Sequence, residues 1–209
     1  YAFEVEYLDG HLVKVIEELE KRNLLENTII VVTSDNGMPF PRVKGQVYPF
    51  DNRLPLAIRW GNGIKNPGRV IDEYFSFSDF APTFLDLVGI GEKDHDMKPF
   101  SGKSWDPIFR NLSDTHPREY MIIGKERHDV GRENDQGYPV RGIIEGNYFY
   151  SQNFKPERWP SGNPETGYLN TDGSPTKTEI LNLRRQGKDS TYWNYAFGKR
   201  PPEELYNIE

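Results

Sequence analysis

Cysteine is absent from all 209 residues, which excludes disulfides, thiolate metal ligands and a cysteine nucleophile from this chain. That absence leaves the compartment open. No window approaches the ~18 uninterrupted apolar residues that a membrane span needs, so no transmembrane helix is expected. Positive charge is not in excess either: 26 Lys and Arg stand against 32 Asp and Glu, a net charge of -6. Broad attraction to nucleic acid or anionic lipid is thereby excluded, while local binding of an anion is not. The opening Tyr1-Ala2-Phe3-Glu4-Val5-Glu6 has no initiator Met, basic n-region or apolar h-region, and reads as the start of a mature or cut product. What is present, 35% hydrophobic and 28% charged residues, suits a soluble globular protein of one or two domains.

From Glu4 to Leu19 the apolar Val5, Leu8, Leu12, Val15, Ile16 and Leu19 recur every three or four residues. This predicts an amphipathic helix lying on something larger. Thr28-Ile29-Ile30-Val31-Val32-Thr33-Ser34-Asp35 is a β-branched run without alternation, which predicts a strand covered on both faces. Leu54 to Trp60 is a second strand candidate. Ser76 to Gly89 reads as a helix with Ser78 as N-cap, Pro82 near the first turn and Gly89 as its stop. Helix, strand, strand, helix is an α/β pattern. Residues 91–118 read as connection, apart from a short amphipathic stretch around Trp105 to Phe109. Tyr120–Gly124, Val140–Ile144 and Tyr148–Ser151 are short strands, the last two joined as a hairpin through Glu145-Gly146-Asn147. Residues 151–175 form a structured surface loop.

The chemistry concentrates where Val32-Thr33-Ser34 runs into Asp35-Asn36-Gly37. Crevices beyond the carboxyl ends of strands are where open α/β sheets bind ligands. Asp35 and Asn36 offer a carboxylate and an amide oxygen, hard donors suited to Ca²⁺ or Mg²⁺, although Asp-Asn-Gly is equally ordinary turn chemistry. Lys44 follows eight residues after Asn36, in a loop stiffened by Pro39 and Pro41. It could hold an anionic group or be a solvated surface lysine.

Several segments in register resemble a known family: Tyr7-Leu8-Asp9, Asn27 to Gly37, a Lys soon after, Leu54-Pro55-Leu56 and Ser78-Asp79-Phe80-Ala81-Pro82-Thr83-Phe84-Leu85. Together they resemble the C-terminal half of type I, formylglycine-dependent sulfatases of the alkaline-phosphatase-like superfamily. Glu126-Arg127-His128, Gly137 to Arg141, Asn153 to Pro160, Gly173 to Thr178 and Ala196 to Tyr206 are similar to the bacterial subgroup labelled heparan N-sulfatases, which are sulfamidase-like. The resemblance spans nearly the whole chain.

It implies an α/β fold, the C-terminal part of a mixed sheet flanked by helices over 1–115, followed by a small α+β domain with an antiparallel sheet over 116–209. It implies that Asp35 and Asn36 are two ligands of a Ca²⁺, that Lys44 contacts the sulfate and the leaving-group oxygen, and that His128, Arg127 and Arg132 face the substrate. Its nucleophile is a formylglycine made from a Cys/Ser-x-Pro-x-Arg motif, which does not occur here, and Ca²⁺ takes about six to eight ligands. The chain is therefore expected to be a fragment, inactive alone, with the N-terminal part of the same enzyme as partner. The expected substrate is a sulfated sugar or glycosaminoglycan fragment, in a periplasmic or secreted parent protein. Two alternatives remain: a phosphoryl hydrolase of the same superfamily, or a non-catalytic module stacking sugars on Trp159, Tyr168, Trp193 and Tyr195.

Overall fold

The helical spacing at the start of the chain becomes α1 (Ala2–Lys21), and the next residues close a 3-10 turn at Leu25–Asn27. The structure, a computed structural model, describes residues 1–91, 93–112, 118–128, 132–165 and 170–209. No helix among the described residues is long and apolar enough to cross a membrane. The chain divides into two compact units, residues 1–32 with 56–117, and residues 33–55 with 118–209.

In the first unit α1 buries no residue, and its apolar Val5, Leu8 and Val15 are 53%, 62% and 53% exposed. The apolar run yields β1 (Ile30–Thr33), which pairs with β2 (Leu56–Arg59) in a two-stranded sheet. Coverage on both faces is not what the structure shows: Ile30 to Val32 are half-buried and Thr33 is exposed, because neither flanking helix of this unit packs closely on the strand. Arg59 ties β2 to the 3-10 turn through Glu26 at 2.6 Å and the Leu25 carbonyl at 3.1 Å.

The predicted second helix is α3 (Phe80–Leu87), entered through a 3-10 turn at Phe77–Asp79; α2 lies earlier, at Pro49–Asn52. Its N-terminal capping differs from expectation. Ser76, not Ser78, caps the turn, in a capping box closed by Asp79, because Asp79 three residues on can reach back to the Ser76 N–H at 2.9 Å. Gly89, at φ +75°, ends the helix as expected.

Asp79 also organises the rest of this core. Fully buried, it accepts from the Lys103 N–H at 2.8 Å and from the Trp105 indole at 3.1 Å. Trp105 then packs against Phe75 and Phe80, beside α4 (Asp106–Phe109). Asp79→Asn should destabilise the protein by about 2 kcal/mol, since an amide places a donor where three donors converge. The midpoint of denaturant unfolding checks this.

The second unit is built on a four-stranded antiparallel sheet in the order β3 (Tyr120–Lys125), β4 (Val140–Glu145), β5 (Tyr148–Asn153), β6 (Glu203–Asn207). The β4–β5 hairpin forms as the sequence predicts, Glu145 pairing with Tyr148 around a two-residue turn with Gly146 at φ +52°. On the inner face Val140 and Phe149 are fully buried and pack with Val47, Tyr48 and Tyr138. Each such side chain contributes about 1.5–3 kcal/mol of burial. A second cluster of Trp193, Ala196 and Phe197 joins α5 (Pro175–Arg185) and α6 (Thr191–Phe197).

Candidate active site

The residues between β1 and β2 make a 33–55 excursion that belongs to the second unit. Its neck is closed by the Thr33 hydroxyl donating to the Pro55 carbonyl at 2.7 Å. Within it Asp51 holds both arms, accepting from the Gly37 N–H at 2.9 Å and the Gln46 N–H at 3.0 Å. Burial pushes the Asp51 carboxyl above its ordinary range, while those backbone donors oppose the shift. Gly37 is required by space: a Cβ there would lie 2.3 Å from the Phe50 carbonyl oxygen and 2.7 Å from Asp51 Cα.

This pinning leaves Asp35 exposed and Asn36 half-buried on the turn. The Ser34 hydroxyl donates at 2.7 Å to the Asn36 backbone carbonyl, so no described hydrogen bond consumes either side-chain oxygen. A carboxylate and an amide oxygen, unspent on a fixed turn, fit part of a hard-cation shell. They cannot complete one, because no group of three His, Cys, Asp or Glu gathers among the described residues.

Lys44 lies within electrostatic reach of that turn. Its ammonium meets Asp172 at 2.9 Å, and this hydrogen bond, opposed by some desolvation and aided by the charges of Asp172, Asp35 and Asp51, raises its pKa. Lys44 is therefore firmly cationic. The loop that carries it is anchored by Arg42, a non-glycine residue at φ +67°. The Arg42 guanidinium sits 4.0 Å above the Tyr48 ring and donates to the Tyr195 carbonyl at 2.8 Å and the Tyr206 hydroxyl at 3.3 Å. Tyr48 and Tyr206 both donate to the buried Glu204, at 3.0 and 2.7 Å, and Asn153 donates to it at 3.0 Å. From β3, Lys125 donates to the Gly45 carbonyl. Burial, aided by Arg132 and Arg200, pulls its pKa down to about 8, with Asp51 opposing.

His128 meets the same stretch. Its Nδ1 is buried without a hydrogen-bond partner among the described residues, and a Cβ added to Gly45 would lie 2.7 Å from it. Asp35, Asn36, Lys44 and His128 are thus gathered by one excursion and the loop packed on Gly45. The two arginines are engaged by other partners. Arg127 is exposed and paired with Asp135. Arg132 is buried, donating to the carbonyls of Trp159, Gln136 and Pro160, so it braces the loop. Of the proposed stacking aromatics, Trp193 is buried with Trp159 edge-on at 5.8 Å, Tyr195 is exposed, and Tyr168 lies outside the described residues.

Asp51, Lys125, Arg42 and Asp172 escaped the sequence reading. Lys125, Arg42 and Asp172 act through partners far along the chain, Asp172 lying 128 residues from Lys44, whereas Asp51 acts through the nearer backbone N–H groups of Gly37 and Gln46.

Residues 1–90 match the Sulfatase family model. The ulvan-active sulfatase of Formosa agariphila is 29% identical over 207 residues, 97% of this chain and 31% of that protein. Human N-sulphoglucosamine sulphohydrolase is 27% identical over 211 residues, 93% of this chain and 40% of that protein. The chain thus spans well under half the length of either relative. A solved 2-O GAG sulfatase, BT1596, superposes with a TM-score of 0.54 at 18% identity, over 90% of this chain and 41% of that one. That likeness shows the fold, a mixed α/β architecture.

Proposed function

We propose that this chain is the C-terminal part of an enzyme that releases sulfate from a sulfated sugar, a reading supported by the match of residues 1–90 to the Sulfatase family model. The proposed substrate is the N-sulfoglucosamine of heparan-type glycans, a choice supported by the likeness to human N-sulphoglucosamine sulphohydrolase. The observation that carries the reading is the turn pinned by Asp51, which presents Asp35 and Asn36 side-chain oxygens, with no hydrogen bond among the described residues, within electrostatic reach of the Lys44 ammonium.

In this reading Lys44 binds the sulfate and stabilises negative charge on the leaving oxygen or nitrogen, an electrostatic contribution aimed at where charge develops. Asp35 and Asn36 would hold part of a Ca²⁺ shell, which when filled would supply charge neutralisation, the nucleophile being the formylglycine expected in the remaining part. His128 lines the sugar side. Asp51 and Lys125 keep the two arms of the excursion in place. The apolar stripe of α1, exposed in this chain, is the surface on which the N-terminal part of the enzyme packs, since burying it is worth about 25 cal/mol per Å². The parent is periplasmic or secreted, where sulfated glycans are met.

The test compares two purified proteins. The chain alone should release no sulfate from glucosamine N-sulfate and bind Ca²⁺ weakly, whereas the full-length protein should do both. Sulfate release by the chain alone, free of contaminating enzyme, would defeat the half-enzyme reading.

A further inference from the structure

The ion pair between Lys44 and Asp172 is half-exposed on one side and exposed on the other. Such a pair adds only about 0–1 kcal/mol to stability. The turn that carries Asp172 is nevertheless built from buried parts. Lys177, 6% exposed, donates its ammonium to the Thr171 carbonyl at 2.5 Å, a burial that itself works against the charge. Ser174 caps α5 by accepting from the Lys177 N–H at 3.1 Å. Asn170 donates its N–H to the Ser161 carbonyl at 2.8 Å, and the Ser161 hydroxyl accepts from the Gln46 side chain at 2.5 Å. Gln46 is two residues from Lys44. The turn is therefore fastened, through Ser161, to the segment that carries the lysine, and the spacing of the two charges is set by the fold.

We propose that Asp172 is a specificity residue that selects which groups flank the sulfate to be removed. The inference rests on the assignment of Lys44 to the sulfate. When sulfate takes the Lys44 ammonium, the Asp172 carboxylate gives up that partner while its turn stays fixed. It then accepts a hydrogen bond from a hydroxyl or ammonium beside the scissile group, and it repels a second sulfate or a carboxylate at that place. Sugars bearing a lone sulfate next to hydrogen-bond donors are the favoured class, and densely sulfated ones are disfavoured.

The experiment uses the full-length enzyme with glucosamine N-sulfate and glucosamine N,6-O-disulfate at low ionic strength. In Asp172→Asn, kcat/KM for the disulfated sugar relative to the monosulfated one should rise about three- to tenfold. Asp172→Glu, which keeps the charge, should hold the ratio near that of the unaltered enzyme, and added salt should shrink the difference between the two variants. An unchanged ratio in Asp172→Asn overturns the proposal, as does the same shift in Asp172→Glu. If Lys44→Ala turns over normally, the sulfate assignment itself fails. Loss of turnover in Lys44→Ala with no change in Asp172→Asn leaves that assignment standing and removes only the role of Asp172.

Discussion

Replacing Lys44 with alanine in the full-length enzyme is expected to lower kcat/KM for sulfate release by about 10²–10³-fold. The thermal midpoint should move little. Lys44 is half-exposed and its side chain makes a surface ion pair with Asp172, so its removal costs the fold about 0–1 kcal/mol. The loop around it is held by other groups, Arg42 over Tyr48 and Gln46 on Asp51 and Ser161, so the backbone stays in place. On the proposed reading, what is lost is a cation that Asp172, Asp35 and Asp51 keep charged, and with it the stabilisation of negative charge on the departing group. Lys44→Arg keeps the charge but spreads it over a planar fork, and should recover only part of the rate. Steady-state kinetics with calorimetric melting separates these effects, and a variant with unaltered kcat/KM would take Lys44 out of the site.

Gly37→Ala should be comparably damaging by a different route. The added methyl would lie 2.3 Å from the Phe50 carbonyl oxygen and 2.7 Å from Asp51 Cα. Both are backbone atoms, so the turn must move instead. Asp35 and Asn36 move with it, and the Gly37 N–H loses its bond to Asp51. Displacement of about 1 Å at a reacting centre costs on the order of 10²-fold in rate. The effect should include a higher Ca²⁺ concentration for half-maximal activity, which a general loss of stability would not produce. Gly10→Ala supplies the contrast: Gly10 lies inside α1 with nothing within 4 Å of a new Cβ, and alanine there should stabilise by about 0.5–1 kcal/mol.

These two positions show how differently the parts of the molecule could be read from sequence. α1 and the β4–β5 hairpin were legible because their signals are local, a helical apolar spacing and a Gly-containing turn between alternating strands. β6 was not. Its inward side chains include Glu204, a buried carboxylate satisfied by Tyr48, Tyr206 and Asn153, and a charge on the inner face defeats any reading that looks for apolar alternation. The same holds within the site. Asp35, Asn36 and Lys44 were visible as chemistry at the end of a β-branched run. Asp51 and Lys125 carry half-buried charge whose meaning appears only through contacts, Lys125 lying 80 residues from the Gly45 carbonyl it binds. Arg132, named from the resemblance as a substrate contact, is buried on three carbonyls that no local pattern announces.

The anchoring of the lysine loop also fixes when, during synthesis, the site can exist. Tyr48 waits for Glu204, 156 residues later in the chain, and Arg42 waits for Tyr206, 164 residues later. Contacts of such sequence separation close late, because the loop entropy must be overcome before the contact rewards it. At about 5–20 residues per second, the Lys44 segment spends on the order of ten seconds emerged from the ribosome before β6 exists to hold it. Nascent chains that end before Glu204 should therefore carry Lys44 and its neighbours without their arrangement, and on the proposed reading competence to bind sulfate should arrive in a single step with the last strand.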